Sequence, residues 1–231
     1  MFDLKGYGNQ IATGAWVTVE IFLASLALGL IFGLITALAK LSRRAGIRKA
    51  ADLYSDLIRG LPELLTILLV YFGLPILIAR LLSLFGIDFY LEVTPFAGGV
   101  AALGIYFGAY AGEIFRGAIL SVPKGQIEAA HAFALPSFQV YRRVILPQAW
   151  RIALPGLGNM TLALMKNTAL VSIIGLDELM RKTSMATAVT HQPFTFYFTA
   201  SLIYLALTIL TSIAMHFLEH RASRGVKEAQ A

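Results

Sequence analysis

The chain has 231 residues, of which 58% are apolar and 14% charged, and its mean hydropathy is +0.73. A soluble domain carries about 25% charged residues, so the composition excludes an ordinary soluble protein and points to a membrane protein. The net charge of +6 would suit an anionic partner, but the placement of the basic residues assigns it to membrane topology, and nucleic acid is not expected.

Residues 1–6 lack the basic segment, short apolar core and small-residue site of a cleaved signal peptide, so the first span is expected to be retained. A bilayer core of about 30 Å needs about 20 apolar residues in a helix. Five windows qualify: 15–39, 61–79, 95–114, 152–176 and 196–218. The first contains Glu20, the second has Glu63 in its first turn, the fourth contains Lys166, and the fifth has no Asp, Glu, Lys or Arg. Helices are required because backbone groups in lipid must be satisfied within the segment. The runs are too uniformly apolar for barrel strands, which alternate. In the third window Gly104, Gly108 and Gly112 fall on one helix stripe, a pattern that lets two helices approach closely.

The basic residues set the orientation. Lys40, Arg43, Arg44, Arg48, Lys49 and Arg59 follow the first window; Arg116, Lys124, Arg142, Arg143 and Arg151 follow the third; Arg221, Arg224 and Lys227 follow the fifth. Only Lys5, Arg80, Arg181 and Lys182 fall on the other side. Cytoplasmic loops carry the excess of Lys and Arg, which predicts an all-α, five-span protein with its N-terminus outside and its C-terminus inside. The chain has no cysteine, and His131, His191, His216 and His220 are read as scattered, so no metal site is expected.

The longest polar stretch, 115–151, is then cytoplasmic. Pro123 suits the first turn of a helix, and Glu128, Ala129 and Ala130 are good helix formers. Leu135-Pro136-Ser137 should break that helix, with Ser137 capping a second one over 138–146 that stops at Pro147. By physics alone, two short helices joined by a tight turn suit an ordinary interfacial loop as well as a docking element.

Several motifs narrow this choice. Glu128-Ala129-Ala130, then Ala134, then Val144-Ile145-Leu146-Pro147 resemble the EAA loop of binding-protein-dependent ABC permeases, with Ala134 in place of the family's glycine and Val144 in place of its isoleucine. Arg59-Gly60-Leu61-Pro62, Glu113-Ile114-Phe115-Arg116-Gly117 and Lys166-Asn167-Thr168-Ala169-Leu170 are similar to the polar amino-acid branch, closest to the Q-type subunits of histidine, lysine-arginine-ornithine and opine importers. The resemblance implies a type I ABC importer permease domain over 15–218, in a bacterial inner membrane. It implies three partners: a cytoplasmic ATPase pair, a second, M-type permease and a periplasmic substrate-binding protein. It also implies that Glu128, Ala129, Ala130, Ala134, Leu146 and Pro147 form the ATPase-coupling element. A glycine lost at 134 leaves a residue that cannot take a left-handed backbone cheaply, so the turn there is expected to differ. The chain has no phosphate-binding glycine loop, so ATP chemistry belongs to the partner and no cofactor is expected here. A secondary transporter would need inverted repeats, and a scaffold would have no reason to keep the loop spacing.

Intramembrane polar groups are candidates for function. Glu20, Glu63 and the Glu113/Arg116 pair lie near span ends and suit interfacial or structural roles. Lys166 lies about 21 Å into the fourth window, with Asn159 two turns earlier and Asn167 and Thr168 beside it. This group either holds helices together through hydrogen bonds or lines a translocation path, where the lysine could meet a substrate carboxylate.

Overall fold

The computed structural model describes residues 4–87 and 92–223; Arg224 and Lys227, used in the orientation argument, lie outside the described residues. The helices are α1 (Gly8–Lys40), α2 (Ala45–Gly60), α3 (Glu63–Leu68), α4 (Leu74–Ser83), α5 (Pro95–Leu120), α6 (Lys124–Ala132), α7 (Ser137–Val140), α8 (Leu146–Asn167), α9 (Leu179–Thr190) and α10 (Pro193–Ser223). Five stretches among the described residues are long and apolar enough to cross a membrane: Gly8–Lys40, Glu63–Ser83, Pro95–Leu120, Ser137–Ile174 and Pro193–Ser223. They follow the order of the expected windows, and most run past them. Apolarity marks lipid thickness, whereas a nucleated helix continues through polar residues for as long as hydrogen bonds propagate.

Two π turns explain how Pro75 and Pro147 fit inside the spans, whereas Pro155 lies within α8 without one. Leu69–Gly73 and Tyr141–Ile145 are both π-helical, and each is followed immediately by Leu-Pro: Leu74-Pro75 and Leu146-Pro147. A proline inside an α-helix clashes with the carbonyl four residues back and cannot bond to it. Widening the preceding turn moves that carbonyl aside; Leu74 N–H bonds to Leu69 O and Leu146 N–H to Tyr141 O instead. The expected stop at Pro147 is therefore corrected: the helix beginning at Ser137 runs on into the fourth span. Ser137 makes no capping hydrogen bond either, because the residue at the cap position is Pro136.

Helices α1 and α5 run parallel and form the centre of the bundle. Along α1 the buried residues Gly14, Thr18, Ile21, Ser25, Gly29, Gly33 and Thr36 recur every three or four positions. From Ile21 onward this face meets the α5 stripe of Gly99, Gly104, Gly108 and Gly112, while Gly14 and Thr18 pack against Glu178 and Leu179 at the start of α9. A Cβ on Gly33 would lie 2.6 Å from Ala111 Cβ, and one on Gly108 would lie 2.6 Å from Phe32 Cβ, so backbone proximity requires glycine at both positions. α8 runs antiparallel to α5, with Gly156 against Ile114 at one level and Val171 against Gly99 at the other. We call the end carrying α6 the loop end and the opposite end the far end.

The 45–60 segment, read from sequence only as a basic connection, forms α2. Its alanines and long side chains favour a helix, and it buries Ala51 and Ser55 while exposing Ile47, Leu53 and Leu57. Tyr54 of α2 donates to Ile105 O of α5 at 2.6 Å, and burial pushes its phenol up to about 12, so it stays a neutral donor.

Candidate functional site

The α6 region stands out from the bundle yet is firmly seated. Glu128 and Ala129 are exposed, whereas Ala130 is buried beneath them. Ala130, Val122, Val140 and Ile145 belong to the same continuous core as the spans. Phe133 and Phe138 flank the turn at 83% and 72% exposure and form an apolar rim. Leu146 and Pro147 lie exposed just beyond it. Ala134 adopts a left-handed backbone with φ of 55°. The expectation of an altered turn is thus corrected: alanine accepts the conformation natural to glycine, at a cost of about 1–2 kcal/mol. Ala134 N–H bonds to His131 O at 2.9 Å and Leu135 N–H to Ala130 O at 3.2 Å, which closes the end of α6.

The polar residues of the fourth span do not gather into one cluster. Asn159 and Lys166 are exposed on α8, on a surface that this chain leaves uncovered. Asn167 is half-buried, and its Nδ2 has no hydrogen-bond partner. Thr168 is buried and donates to Met165 O at 2.7 Å. The α-helix ends at Asn167 and a 3₁₀ segment, Thr168–Ile174, continues it. Lys166 falls between the Gly156–Ile114 and Val171–Gly99 contacts, near the middle of the bundle. A change of helix type at that depth is a common mark of a hinge.

One carboxylate centre was read from the sequence only in part, and a second was missed. At the loop end, Glu113 does pair with Arg116 as expected, at 3.0 Å, but Lys40 also donates to it and Arg59 lies 3.6 Å away. Asp52 stands 3.2 Å from Lys40. At the far end, Glu178 is fully buried. It accepts from Met180 N and Arg181 N at 2.8 Å each, and Tyr204 donates to it at 3.0 Å. The Thr18 hydroxyl lies 3.5 Å away and accepts from Leu179 N at 3.2 Å. Burial pushes the Glu178 carboxyl above its ordinary range, against the pull of these donors. The neighbouring Asp177 is held below its range, first by Lys182 and then by Arg181. Gly175 in a left-handed turn followed by Asp177-Glu178 is a helix-start signal that was present in the sequence.

The remaining intramembrane acids have single partners. Trp16 donates to Glu20 at 2.6 Å, and Tyr106 donates to Glu63. His216 and His220, read as scattered, stand one turn apart on the exposed face of α10. No group of three metal-ligating side chains occurs among the described residues.

The family of binding-protein-dependent transport system inner membrane components matches residues 29–224. The chain belongs to this family. The permease is 40% identical to the octopine transport system permease protein of Rhizobium meliloti over 226 residues, which cover 98% of this chain and 95% of that protein. It is 41% identical to the histidine/lysine/arginine/ornithine transport system permease protein of Escherichia coli K12, covering 98% and 99%. Among solved structures it is similar to an amino acid ABC transporter determined with histidines, at a TM-score of 0.80 and 33% identity over 93% of this chain and 95% of that one. An inward-facing methionine ABC transporter shares the fold at a TM-score of 0.73 and 17% identity over 93% and 96%. The protein is thus a multi-pass, non-catalytic permease component of an ABC-type importer. Its family context supplies an ATPase, a second permease subunit and a binding protein as partners. The secondary-transporter and scaffold readings fall away.

Proposed function

We propose that the permease carries a polar, basic amino acid or an opine inward, with its N-terminus outside and C-terminus inside, and that 15–218 forms its type I permease domain. The relatives named above are transport proteins for octopine and for histidine, lysine, arginine and ornithine, which supports the substrate class. The 14 basic residues on the loop side against four on the other support the orientation.

One observation carries the coupling mechanism: α6 exposes Glu128 and Ala129 outward while its underside is packed into the core of the spans. Such a helix can be pushed only together with the bundle. It docks on the cytoplasmic ATPase, with Phe133 and Phe138 as apolar contacts, Ala134 shaping the turn, and Leu146 and Pro147 fixing the return into the fourth span. ATP binding closes the ATPase pair, draws together the loops of this chain and of its M-type partner, and switches the pair between inward- and outward-facing states. Asn159 and Lys166 face the shared pathway, with Asn167 and Thr168 at the change of helix type; the Lys166 ammonium suits a substrate carboxylate.

Glu128→Lys tests this in vesicles containing the whole transporter. A charge-assisted contact of about 1.5–3 kcal/mol becomes repulsion, so the variant inserts but loses the ATPase or hydrolyses ATP without uptake. Ala132→Ser, on the same helix, is the mild control. Parental transport by Glu128→Lys would remove the coupling assignment. Reporter fusions after Arg48 and Arg181 should read cytoplasm and periplasm, and a cytoplasmic signal at Arg181 would overturn the orientation.

A further inference from the structure

Three helices meet around one carboxylate at the loop end. Lys40, the last residue of α1, donates to Glu113 of α5 and lies 3.2 Å from Asp52 of α2. Arg116 donates to Glu113 at 3.0 Å, and Arg59 of α2 approaches it at 3.6 Å while its guanidinium sits 5.4 Å above the Tyr110 ring. The Lys40 side chain is only 3% exposed, against about 40% for Arg59 and Arg116. Exposed pairs contribute little, whereas a buried ammonium must keep its partner. The Lys40–Glu113 pair therefore fixes how α1 and α5 end relative to each other, and Asp52 and Arg59 bring α2 into the same joint.

The joint lies close to the coupling loop. α5 ends seven residues after Glu113, and α6 begins at Lys124. The link is not slack: Ser121 N and Oγ both bond to Gly117 O, at 3.0 and 2.8 Å, and Val122 is buried. A displacement of α6 therefore moves the end of α5. The glycine seam keeps α1 against α5 along its length, and the charged joint passes the motion to α2.

We propose that Glu113 is a positioning residue for transport: it holds α1, α2 and α5 as one body, so that the coupling loop turns all three together. This rests on α6 being the coupling element. The test uses the complete transporter in vesicles and reads substrate imported per ATP hydrolysed. Glu113→Gln keeps the ATPase bound and hydrolysing, but the ratio falls by about tenfold or more, the size of effect that loss of a charge-assisted contact gives. Glu113→Asp recovers part of the ratio. The double variant Lys40→Met with Glu113→Gln strands no buried ion, assembles like the parent and remains uncoupled.

A parental ratio in Glu113→Gln or in the double variant overturns the proposal. So does failure of the double variant to assemble, because the joint would then serve construction rather than coupling. Glu128→Lys is measured alongside. Parental transport there sinks the loop assignment itself, whereas loss of transport there with a parental ratio in Glu113→Gln sinks only the role of Glu113.

Discussion

At the loop end Glu113 sits among Lys40, Arg59 and Arg116; at the far end Glu178 sits among backbone N–H groups and the hydroxyls of Thr18 and Tyr204. Both residues join α1 to other helices, but by different physics. Glu113 is partly exposed and its partners are charged: Lys40 is buried, whereas Arg59 and Arg116 are half-exposed. Glu178 is fully buried, and its donors are fixed by the helix start it caps. A joint made of charges holds the helices by an attraction that solvent can partly screen. A carboxylate wired into backbone lies beyond that screening, and it anchors α9 between α1 and α10.

The contrast is sharpest when each carboxylate is removed. Glu178→Leu leaves the partly buried N–H groups of Met180 and Arg181 and the Tyr204 hydroxyl without their acceptor, at about 1 kcal/mol or more each. We expect a loss of at least 3 kcal/mol in total, read as a large drop in the melting temperature of the purified complex. A drop no larger than that of Glu113→Gln would break the comparison.

Salt separates the two ends next. Raising ionic strength from 0.1 to 1 M shortens the screening length from about 10 to about 3 Å. The half-exposed arginines around Glu113 should lose about 1 kcal/mol or less, so the parent melts lower in high salt and Glu113→Gln shifts less. Glu178→Gln should show the parental salt response.

Acidity sharpens the far end alone. The folded Glu178 carboxyl keeps its proton above the ordinary value of 4.5, so its contribution to stability is complete below that value and is lost as pH rises through the elevated folded one. Asp177 has the opposite sign, with stability present above its unfolded value and lost as pH falls through the lowered one. Melting curves of parent and Glu178→Gln against pH cancel the Asp177 part. The parent should lose ground to the variant as pH is raised from 4.5; parallel curves would refute the shift.

The smallest effect lies in the coupling loop. Ala134→Gly relieves the left-handed strain and should stabilise by about 0.5–1 kcal/mol, seen as a slight rise in melting temperature.

The sequence exposed some of these features and hid others for physical reasons. The five spans were legible because each apolar run is long enough to cross lipid and too apolar to lie in water. The Gly104–Gly108–Gly112 stripe was legible as a close-packing face, although the α1 residues that fill it were not, since small residues every three or four positions look like ordinary apolar sequence. Pro147 misled because a lone proline does not reveal whether the turn before it has widened. Lys40 was counted only as one more cytoplasmic charge; that it is buried against Glu113 depends on two spans 73 residues apart finishing side by side. Glu178 was passed over because a carboxylate between Asp177 and Leu179 reads as a polar loop until Thr18 and Tyr204 arrive from distant helices.

The π turn at Tyr141–Ile145 has a consequence for the coupling loop that does not depend on which side chains it carries. An α-helix advances about 100° per residue and completes a turn in 3.6 residues, whereas the π turn takes one residue more. Everything on the loop side of that turn is therefore set at an angular phase relative to α8 that an uninterrupted helix would not produce. Deleting a single residue between 141 and 145 would let an α turn replace the π turn and leave Phe138 near its present bearing, whereas deleting one from the regular α8 turns that follow would rotate it by roughly 100° about the α8 axis. Replacing the same residue would leave the platform's bearing as it is. The orientation of the docking face thus depends on a count of residues, and the π turn is the one place in the span where that count holds a residue to spare.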